Sequence, residues 1–297
     1  MKHDAIIIGG GFAGLAAATY LARARRSVCV IDTGQPRNRF ASASHGFLGQ
    51  DGRNPRHILA TARKQLLAYS TVRVTGAEAT KAQVRDDGFG ISLAGGQTVE
   101  GHKLILAFGL SDELPDIPGL AERWGETVLH CPYCHGIEFA DRELGVLYRT
   151  PMSVHQACLI TEWGPTTLYL DGASLDEAEA LKLAARGVKV EAPKVTRLVG
   201  EGPALSAIEL EDGHRSALAA LFISPRSRLA SPLAAQLGVE IDDGPLGPVI
   251  RTGADKMTSV AGVYAAGDIA RAPHSVSWAV ADGVTAGTST HHSLVFG

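Results

Sequence analysis

Two cysteines and two histidines lie within seven residues of the chain, in the segment HCPYCHG at positions 130–136. Such a cluster suits a zinc site, a pair of structural thiols or a redox-active dithiol. A structural zinc site needs four ligands, which commonly come from two separated Cys or His pairs. The remaining cysteines, Cys29 and Cys158, stand in apolar patterns typical of buried residues. The adjacent His130 and Cys131 can hardly face one ion, so no metal site is predicted here.

A redox-active pair needs one cysteine that attacks as a thiolate and a second that resolves the mixed disulfide. Cys131 and Cys134 have the required spacing of two intervening residues. His135 follows at once, and an imidazole with an ordinary pKa of about 6.5 can accept or return a thiol proton near neutral pH. We therefore expect Cys131, Cys134 and His135 to be the catalytic residues. The alternative for His135 is a structural role.

The cysteine pair must be held by regular secondary structure. Over the first thirty residues the sequence predicts a strand, a glycine-rich turn, a helix and a second strand, in that order. An apolar run at 6–8 leads into Gly9-x-Gly11-x-x-Gly14, and Asp32 ends the next strand. In such a unit the first glycine allows the tight turn, the second lets a pyrophosphate approach the helix N-terminus, and the third lets helix and strand pack closely. The carboxylate of Asp32, at the end of the next strand, can accept a hydrogen bond from a ribose hydroxyl. The pattern predicts an adenine dinucleotide site; the alternative is a βα turn without a ligand.

Strand and helix patterns alternate along the whole chain, which predicts an α/β fold with two Rossmann-like domains. Two proline-containing segments, 114–120 and 224–233, are predicted to connect the domains. The first domain would comprise residues 1–112 and 229–297, and the second residues 116–225. The second domain is thus expected as an insertion within the first.

Near the C-terminus an apolar strand leads into a second turn at Gly267-Asp268, where a carboxylate can accept a bond from a ribityl hydroxyl. Four motifs now stand in order: GGGFAG at 9–14, AFG at 107–109, CPYC at 131–134 and GVYAAGD at 262–268. In order and spacing they resemble the low-molecular-weight thioredoxin reductases, and the likeness covers almost the whole chain. These reductases have the two-domain fold expected above.

By this resemblance the first domain binds FAD. The cofactor-binding residues that the resemblance implies are Gly9, Gly11, Phe12, Ala13, Gly14, Asp32, Gly109, Gly267, Asp268, Ser275 and Val276. Phe108 stands where a threonine is usual, and His274-Ser275 replaces the common Arg-Gln pair. The resemblance further places Cys134 beside the flavin, assigns Cys131 as the interchange thiol and implies a homodimer.

The form CPYCHG resembles the branch of this family that contains dithiol oxidases of disulfide natural-product pathways. The stretch GVLYRTPMSVHQA at 145–157 occupies the position of the glycine turn that a reductase uses for NADPH. It has no glycine after the strand, and Pro151 has no N–H to offer a pyrophosphate. The next strand ends at Asp171, where a 2′-phosphate site would need arginines. Poor or absent NADPH binding is predicted.

These observations predict an FAD-dependent thiol–disulfide oxidoreductase. The favoured reaction oxidises a small dithiol through Cys131 and Cys134, with O2 as the acceptor and without NADPH. One alternative is a reductase of thioredoxin or a small disulfide that uses an unusual donor or weakly bound NADPH. A second alternative is a flavin-binding redox sensor that does not turn over.

Composition restricts the partners and the compartment. The chain has 28 basic and 31 acidic residues, a formal net charge of −3, so its field attracts neither nucleic acid nor an anionic membrane. Partners are expected to be a small dithiol or disulfide, or a thioredoxin-like protein, together with O2. The first residues lead directly into a strand, and no apolar run reaches the ~18 residues that span a bilayer. A cytoplasmic location is expected.

Overall fold

The computed structural model describes residues 2–297. The chain divides into two compact units. The first unit comprises residues 2–39, 47–111 and 227–297, and the second comprises 40–46 and 112–226. The second unit is therefore inserted in the first, and it also includes the short segment 40–46.

The secondary structure alternates between strands and helices. The strands are β1 (His3–Ile8), β2 (Val28–Asp32), β3 (Val72–Gly76), β4 (Ala79–Arg85), β5 (Gly88–Leu93), β6 (Thr98–Leu106), β7 (Leu110–Glu113), β8 (Val128–Leu129), β9 (Leu144–Leu147), β10 (Thr166–Tyr169), β11 (Lys189–Glu191), β12 (Val195–Glu201), β13 (Ala204–Leu210), β14 (Arg215–Ala217), β15 (Ala220–Ile223), β16 (Arg226–Leu229), β17 (Ile241–Gly244), β18 (Gly247–Ile250) and β19 (Val263–Ala265). The α-helices are α1 (Phe12–Arg23), α2 (Pro55–Leu66), α3 (Pro132–His135), α4 (Met152–Ile160), α5 (Glu177–Ala185), α6 (Leu233–Leu237) and α7 (Val276–Phe296). Short 3-10 helices lie at Arg37–Phe40, Ala121–Arg123, Ile137–Phe139 and Asp268–Ala270.

The first unit is built on a sheet in the order β3-β2-β1-β6-β5-β4, with β19 also paired to β6. Strands β1, β2, β3, β6 and β19 pair in parallel, so their carboxyl ends meet at one edge. Both faces of β1 are covered: Ile6 packs in one apolar cluster with Leu104, and Ile7 in another with Leu21. A strand buried on both faces reads as a continuous apolar run, which explains the sequence AIII.

Small residues bring the first and last helices of this unit into close contact. A Cβ at Gly283 of α7 would lie 2.1 Å from the carbonyl oxygen of Ala13, and one at Gly287 would lie 2.8 Å from that of Ala17. Larger side chains at these positions would push α7 away from α1. The glycines therefore allow α7 to lie directly against α1.

The second unit has its own parallel sheet in the order β11-β10-β9-β15-β8 and an antiparallel sheet of β12, β13 and β14. Apolar residues of β9, β10 and β15, including Val146, Leu168 and Phe222, pack with Ala157 of α4 in one core. The α/β fold class expected from the sequence is confirmed. Among residues 2–297 no helix is long and apolar enough to cross a membrane.

Candidate active site and cofactor cradle

The turn between β1 and α1 needs glycine for steric reasons. Gly9 has φ +109°, and a Cβ there would lie 2.2 Å from the carbonyl oxygen of Ala107. A Cβ at Gly14 would lie 1.9 Å from the oxygen of Gly9. Gly11, the N-cap of α1, has no side-chain cap, and a Cβ there would meet nothing within 4 Å. The space in front of the helix N-terminus is open, as an anion-binding cradle requires.

Asp32 lies at the end of β2 beside this turn. Its Oδ1 accepts a hydrogen bond of 3.0 Å from the backbone N–H of Gly10, and its Oδ2 lies 3.6 Å from Nη1 of Arg63. The structure thus brings Asp32 together with the predicted glycine-rich turn.

The second turn lies against the first. Gly267 has φ +81°, and a Cβ there would lie 3.0 Å from the Cβ of Ala13 in α1. The helix that follows is only a short 3-10 turn, Asp268–Ala270. The next long helix, α7, begins at Val276, after a cis peptide bond between Ala272 and Pro273.

Asp268 does not stand alone in this turn. Its Oδ2 accepts a hydrogen bond of 2.9 Å from Nη1 of Arg37. The same Nη1 lies 2.8 Å from Nδ1 of His274, whose Nε2 lies 3.1 Å from the carbonyl oxygen of Arg271. Because the guanidinium can only donate, this network assigns the proton of the neutral His274 ring to Nε2. Arg37 was not predicted as a site residue, because the sequence around it does not indicate contacts with Asp268 and His274.

The remaining predicted cofactor residues lie in the same unit. Gly109 has φ +74° and follows β6 at the carboxyl edge of the sheet. Phe12 packs edge-on to Phe47 at a centroid distance of 6.2 Å. Ser275 is the N-cap of α7, and its Oγ accepts a hydrogen bond of 3.1 Å from the N–H of Trp278. An open cradle at Gly11, a nearby carboxylate and a second glycine turn fit a dinucleotide such as FAD.

The cysteine pair lies in the second unit. Cys131 and Cys134 form a disulfide with a Cα–Cα distance of 5.3 Å. Cys131 is the N-cap of α3, and its Sγ accepts a hydrogen bond of 3.2 Å from the backbone N–H of Cys134. Pro132 follows as the first helical residue, where its missing N–H costs nothing. A backbone N–H therefore points at the sulfur that caps the helix.

The two other cysteines differ from each other. Cys29 is buried in β2, and burial raises the pKa of its thiol. Cys158 is only half-buried, so the prediction of a fully buried residue is wrong for it. Its Sγ faces the C-terminal part of α5 and lies 3.8 Å from the carbonyl oxygen of Lys182. The apolar pattern of α4 did not reveal this partly open face.

His135 lies beside the disulfide, with two partners that the sequence analysis did not identify. The ring of His45 meets the His135 ring edge-on at 5.9 Å between centroids. Burial lowers the pKa of His135 most; the Glu138 carboxylate raises it, and His45 lowers it further. A neutral imidazole near pH 7 is therefore available to accept a proton. Glu138 follows His135 by three residues, so the local spacing could have indicated this contact. His45 is distant in the sequence, and no local pattern indicated that it would lie near His135.

The surface around the pair is apolar and exposed. Tyr133 is 74% exposed and Ile137 is 70% exposed. Tyr133 packs edge-on to Trp163 at 5.6 Å, and a Cβ at Gly136 would lie 2.8 Å from the same indole. Gly136 thus lets the CPYCHG turn lie directly on Trp163. The result is a turn packed on Trp163 that exposes the apolar side chains of Tyr133 and Ile137, close in sequence to the disulfide.

Comparisons with known proteins agree with this geometry. A family model described as pyridine nucleotide-disulphide oxidoreductase matches residues 3–283. The chain belongs to this family. It is 34% identical to thioredoxin reductase sirT of Leptosphaeria maculans, over 97% of this chain and 93% of that protein. It is 37% identical to thioredoxin reductase tcpT of Claviceps purpurea, over 98% and 94%.

Solved structures show the same relationship. An oxidoreductase from Agrobacterium tumefaciens superposes with a TM-score of 0.95 at 43% identity, covering 100% of this chain and 99% of that one. The crystal structure of HlmI superposes with a TM-score of 0.93 at 37% identity, covering 99% and 93%. The protein is thus a thioredoxin-reductase-like flavoprotein with FAD as its cofactor.

In this pyridine nucleotide-disulphide oxidoreductase the turn after β9 differs from the turn after β1. The Oγ of Ser153 accepts hydrogen bonds from the backbone N–H groups of Arg149 (3.0 Å) and Thr150 (3.4 Å). Nη1 of Arg149 lies 3.6 Å from Oδ2 of Asp171, whose Oδ1 accepts a bond of 3.0 Å from the N–H of Val195. The backbone N–H groups of residues 149 and 150 are thus bonded to a side chain of the same turn.

Proposed function

We propose that the protein is an FAD-dependent oxidase of small dithiols that works without NADPH. The observation that carries this proposal is the contrast between its two turns. The turn at Gly11 leaves open space before a helix N-terminus, whereas the hydroxyl of Ser153 occupies the backbone donors of the turn after β9. Electrons then enter from a thiol substrate and not from a nicotinamide.

The reaction begins when a substrate thiolate attacks the Sγ of Cys131 and releases Cys134 as a thiolate. The second substrate thiol attacks the substrate sulfur of this mixed disulfide, which releases the oxidised substrate and leaves both cysteines reduced. His135 accepts the proton of the attacking thiol. Bound FAD would supply the two-electron acceptor for the reduced pair and the route from that pair to O2. The balance is one dithiol and one O2 converted to one disulfide and one H2O2.

The surroundings of the disulfide favour a small substrate with apolar parts. Tyr133 and Ile137 flank the pair and are largely exposed. Contact with these side chains would remove apolar surface from water, at about 25 cal/mol for each Å² buried. The immediate turn carries the carboxylate of Glu138 beside the neutral imidazole of His135, which gives the site little to attract a strongly acidic substrate.

Reduction of thioredoxin or of a small disulfide is the second candidate function. It is favoured by the names of sirT and tcpT, which are both thioredoxin reductases. It would require an unusual electron donor, or NADPH bound without the backbone donors of residues 149 and 150. We further infer a homodimer, as the family resemblance implies, and a cytoplasmic location, as expected from the sequence. Size-exclusion chromatography with light scattering would contradict the dimer if it gave the mass of one chain, 31.1 kDa.

An anaerobic mixing experiment tests the proposal. Purified, FAD-loaded protein is mixed separately with NADPH and with dithiothreitol, and flavin absorbance is followed. We expect bleaching by dithiothreitol alone, and oxygen uptake with stoichiometric H2O2 once air is admitted. Bleaching by NADPH within seconds would support the reductase. Bleaching by dithiothreitol without steady oxygen uptake would instead indicate a redox sensor.

A further inference from the structure

The second unit brings together three side chains with metal-ligating atoms. His45, His135 and Glu138 each offer one such atom, and the three atoms all lie within 4.8 Å of one another. His45 belongs to the segment 40–46, which packs with the second unit, while His135 and Glu138 belong to the turn that follows the disulfide. Only the tertiary structure brings the first of these residues to the other two.

The segment that carries His45 is held in place by that unit. The Oγ of Ser42 donates a hydrogen bond of 3.1 Å to Oε2 of Glu126. Gly125 passes so close to this segment that a Cβ there would lie 2.8 Å from the Cβ of Phe40. The backbone segment that carries His45 is therefore held by contacts outside the cluster.

The donor set and its geometry suit Zn²⁺. Two imidazoles and one carboxylate are the protein ligands of a common class of open zinc site, with metal–ligand bonds of about 2.0–2.2 Å. Tetrahedral bonds of that length place neighbouring donor atoms about 3.4 Å apart. Nε2 of His45 and Oε1 of Glu138 lie 3.4 Å apart. A ring nitrogen of His135 lies within 4.8 Å of both atoms and would supply the third of the four positions.

We propose that His45, His135 and Glu138 form a binding site for Zn²⁺ or a similar divalent ion, with a fourth position open to water or a thiolate. The site does not use the sulfurs of Cys131 and Cys134, so it differs from the cysteine-based zinc site that the sequence analysis excluded. If the proposed function holds, an ion on His135 withdraws this imidazole from proton transfer, and the site acts as an inhibitory one. Ion binding itself does not depend on that function.

The test measures Zn²⁺ binding to the FAD-loaded protein in its disulfide form. The protein is treated with EDTA, desalted without thiols and titrated with Zn²⁺ in competition with a zinc indicator that absorbs away from the flavin. We expect one Zn²⁺ per chain. Loss of a residue outside the ligand set already weakens metal affinity about 10- to 100-fold, so His45→Ala and Glu138→Gln should weaken binding at least that much.

Two comparisons make the result specific. His214→Ala and Glu177→Gln change exposed residues of the same unit away from the cluster, and both should bind Zn²⁺ as the wild type does. Glu138→Asp keeps a carboxylate and should bind more tightly than Glu138→Gln, even if His45→Ala fails to fold. The proposal is overturned if the wild type binds no stoichiometric Zn²⁺, or if Glu138→Gln binds it unchanged. Oxygen uptake measured in EDTA tests the oxidase function separately.

Discussion

The side-chain oxygen of Ser153 caps the backbone N–H of Arg149 at 3.0 Å within the turn that follows β9. Ser153 is fully buried, and its hydroxyl also accepts from Thr150 at 3.4 Å. In a dinucleotide-binding turn such donors point to the ligand phosphates. Here the protein supplies the acceptor itself, so the turn is complete without a nucleotide.

Ser153→Ala removes this acceptor and should destabilise the second unit. Two backbone N–H groups would lose their partner, and a buried donor left without one costs about 1–3 kcal/mol. Chemical denaturation followed by circular dichroism measures the change in the free energy of unfolding. The control Ser174→Ala, at an exposed position, should stay within about 0.5 kcal/mol of the wild type. Equal stability of the two variants would show that the hydroxyl does not hold the turn.

Cys134→Ser should retain FAD and lose steady oxygen uptake with dithiothreitol. Cys131 and Cys134 form the disulfide that the substrate thiolate attacks, so without Cys134 the protein has no disulfide that can accept the electrons of the dithiol. An oxygen electrode measures uptake, and absorbance of the purified protein measures the flavin content. Cys158→Ser should turn over normally, because Cys158 lies in α4 facing α5. Sustained turnover of Cys134→Ser would remove the pair from the mechanism.

His135→Gln should lower the rate of dithiol oxidation by about 10²- to 10⁴-fold, the usual contribution of a general base. Burial lowers the pKa of His135, so its neutral, proton-accepting form is kept at neutral pH and is lost only as the pH falls through that lowered value. The wild-type rate should therefore fall at a pH below about 6.5, the ordinary imidazole pKa.

The fall in rate at low pH is the acid limb of the pH–rate profile. This limb should be absent from the residual activity of His135→Gln. Glu138→Gln should move the limb to lower pH, because the Glu138 carboxylate raises the pKa of His135. Initial rates with saturating dithiothreitol, recorded across pH in the presence of EDTA, provide the measurement. A limb that persists unchanged in His135→Gln would assign the titration to another group.

Local sequence patterns predicted those parts of the site that depend on neighbouring residues. The turn at Gly9, Gly11 and Gly14 could be predicted because the strand, turn and helix are consecutive in the sequence. The α/β fold class, predicted from the alternation of strands and helices, was confirmed. The family and its cofactor FAD were likewise predicted correctly from the ordered motifs. The spacing of Cys131 and Cys134 similarly indicated a pair, and the structure joins them in a disulfide.

The parts that were missed depend on contacts between distant residues. Arg37 meets Asp268 and His274 across more than 230 positions of the chain, and such pairing has no periodic signal. His45 reaches His135 because the segment 40–46 packs with the second unit. The same reason explains the wrong prediction for Cys158: its exposure is set by how α5 covers α4, which the apolar pattern of α4 does not contain.

Gly11→Val should abolish retention of FAD while leaving the protein folded. A Cβ at Gly11 meets no protein atom within 4 Å, so the new side chain occupies only the open space of the cradle. The free energy of unfolding of the apoprotein should change by no more than about 0.5 kcal/mol. Gly95→Val is the control, since a Cβ there also meets nothing within 4 Å and lies in a hairpin turn between β5 and β6. Normal flavin content in Gly11→Val would contradict the assignment of the cradle.

Asp282→Asn should destabilise the first unit and weaken FAD retention. The buried carboxylate lies between two cations: its Oδ1 is 2.8 Å from Nζ of Lys256, and its Oδ2 is 3.5 Å from Nε of Arg271. Neutralising one partner of a buried ion pair costs about 3–5 kcal/mol, and we expect about 3 kcal/mol because both cations keep some contact with water. Arg271 precedes His274 in the segment that follows Asp268, so release of its guanidinium should loosen the second cofactor turn. Chemical denaturation and flavin content, measured on the same preparations, test this prediction. Asp86→Asn, at an exposed position, is the control. If Asp282→Asn were as stable as this control, the carboxylate would not anchor the segment.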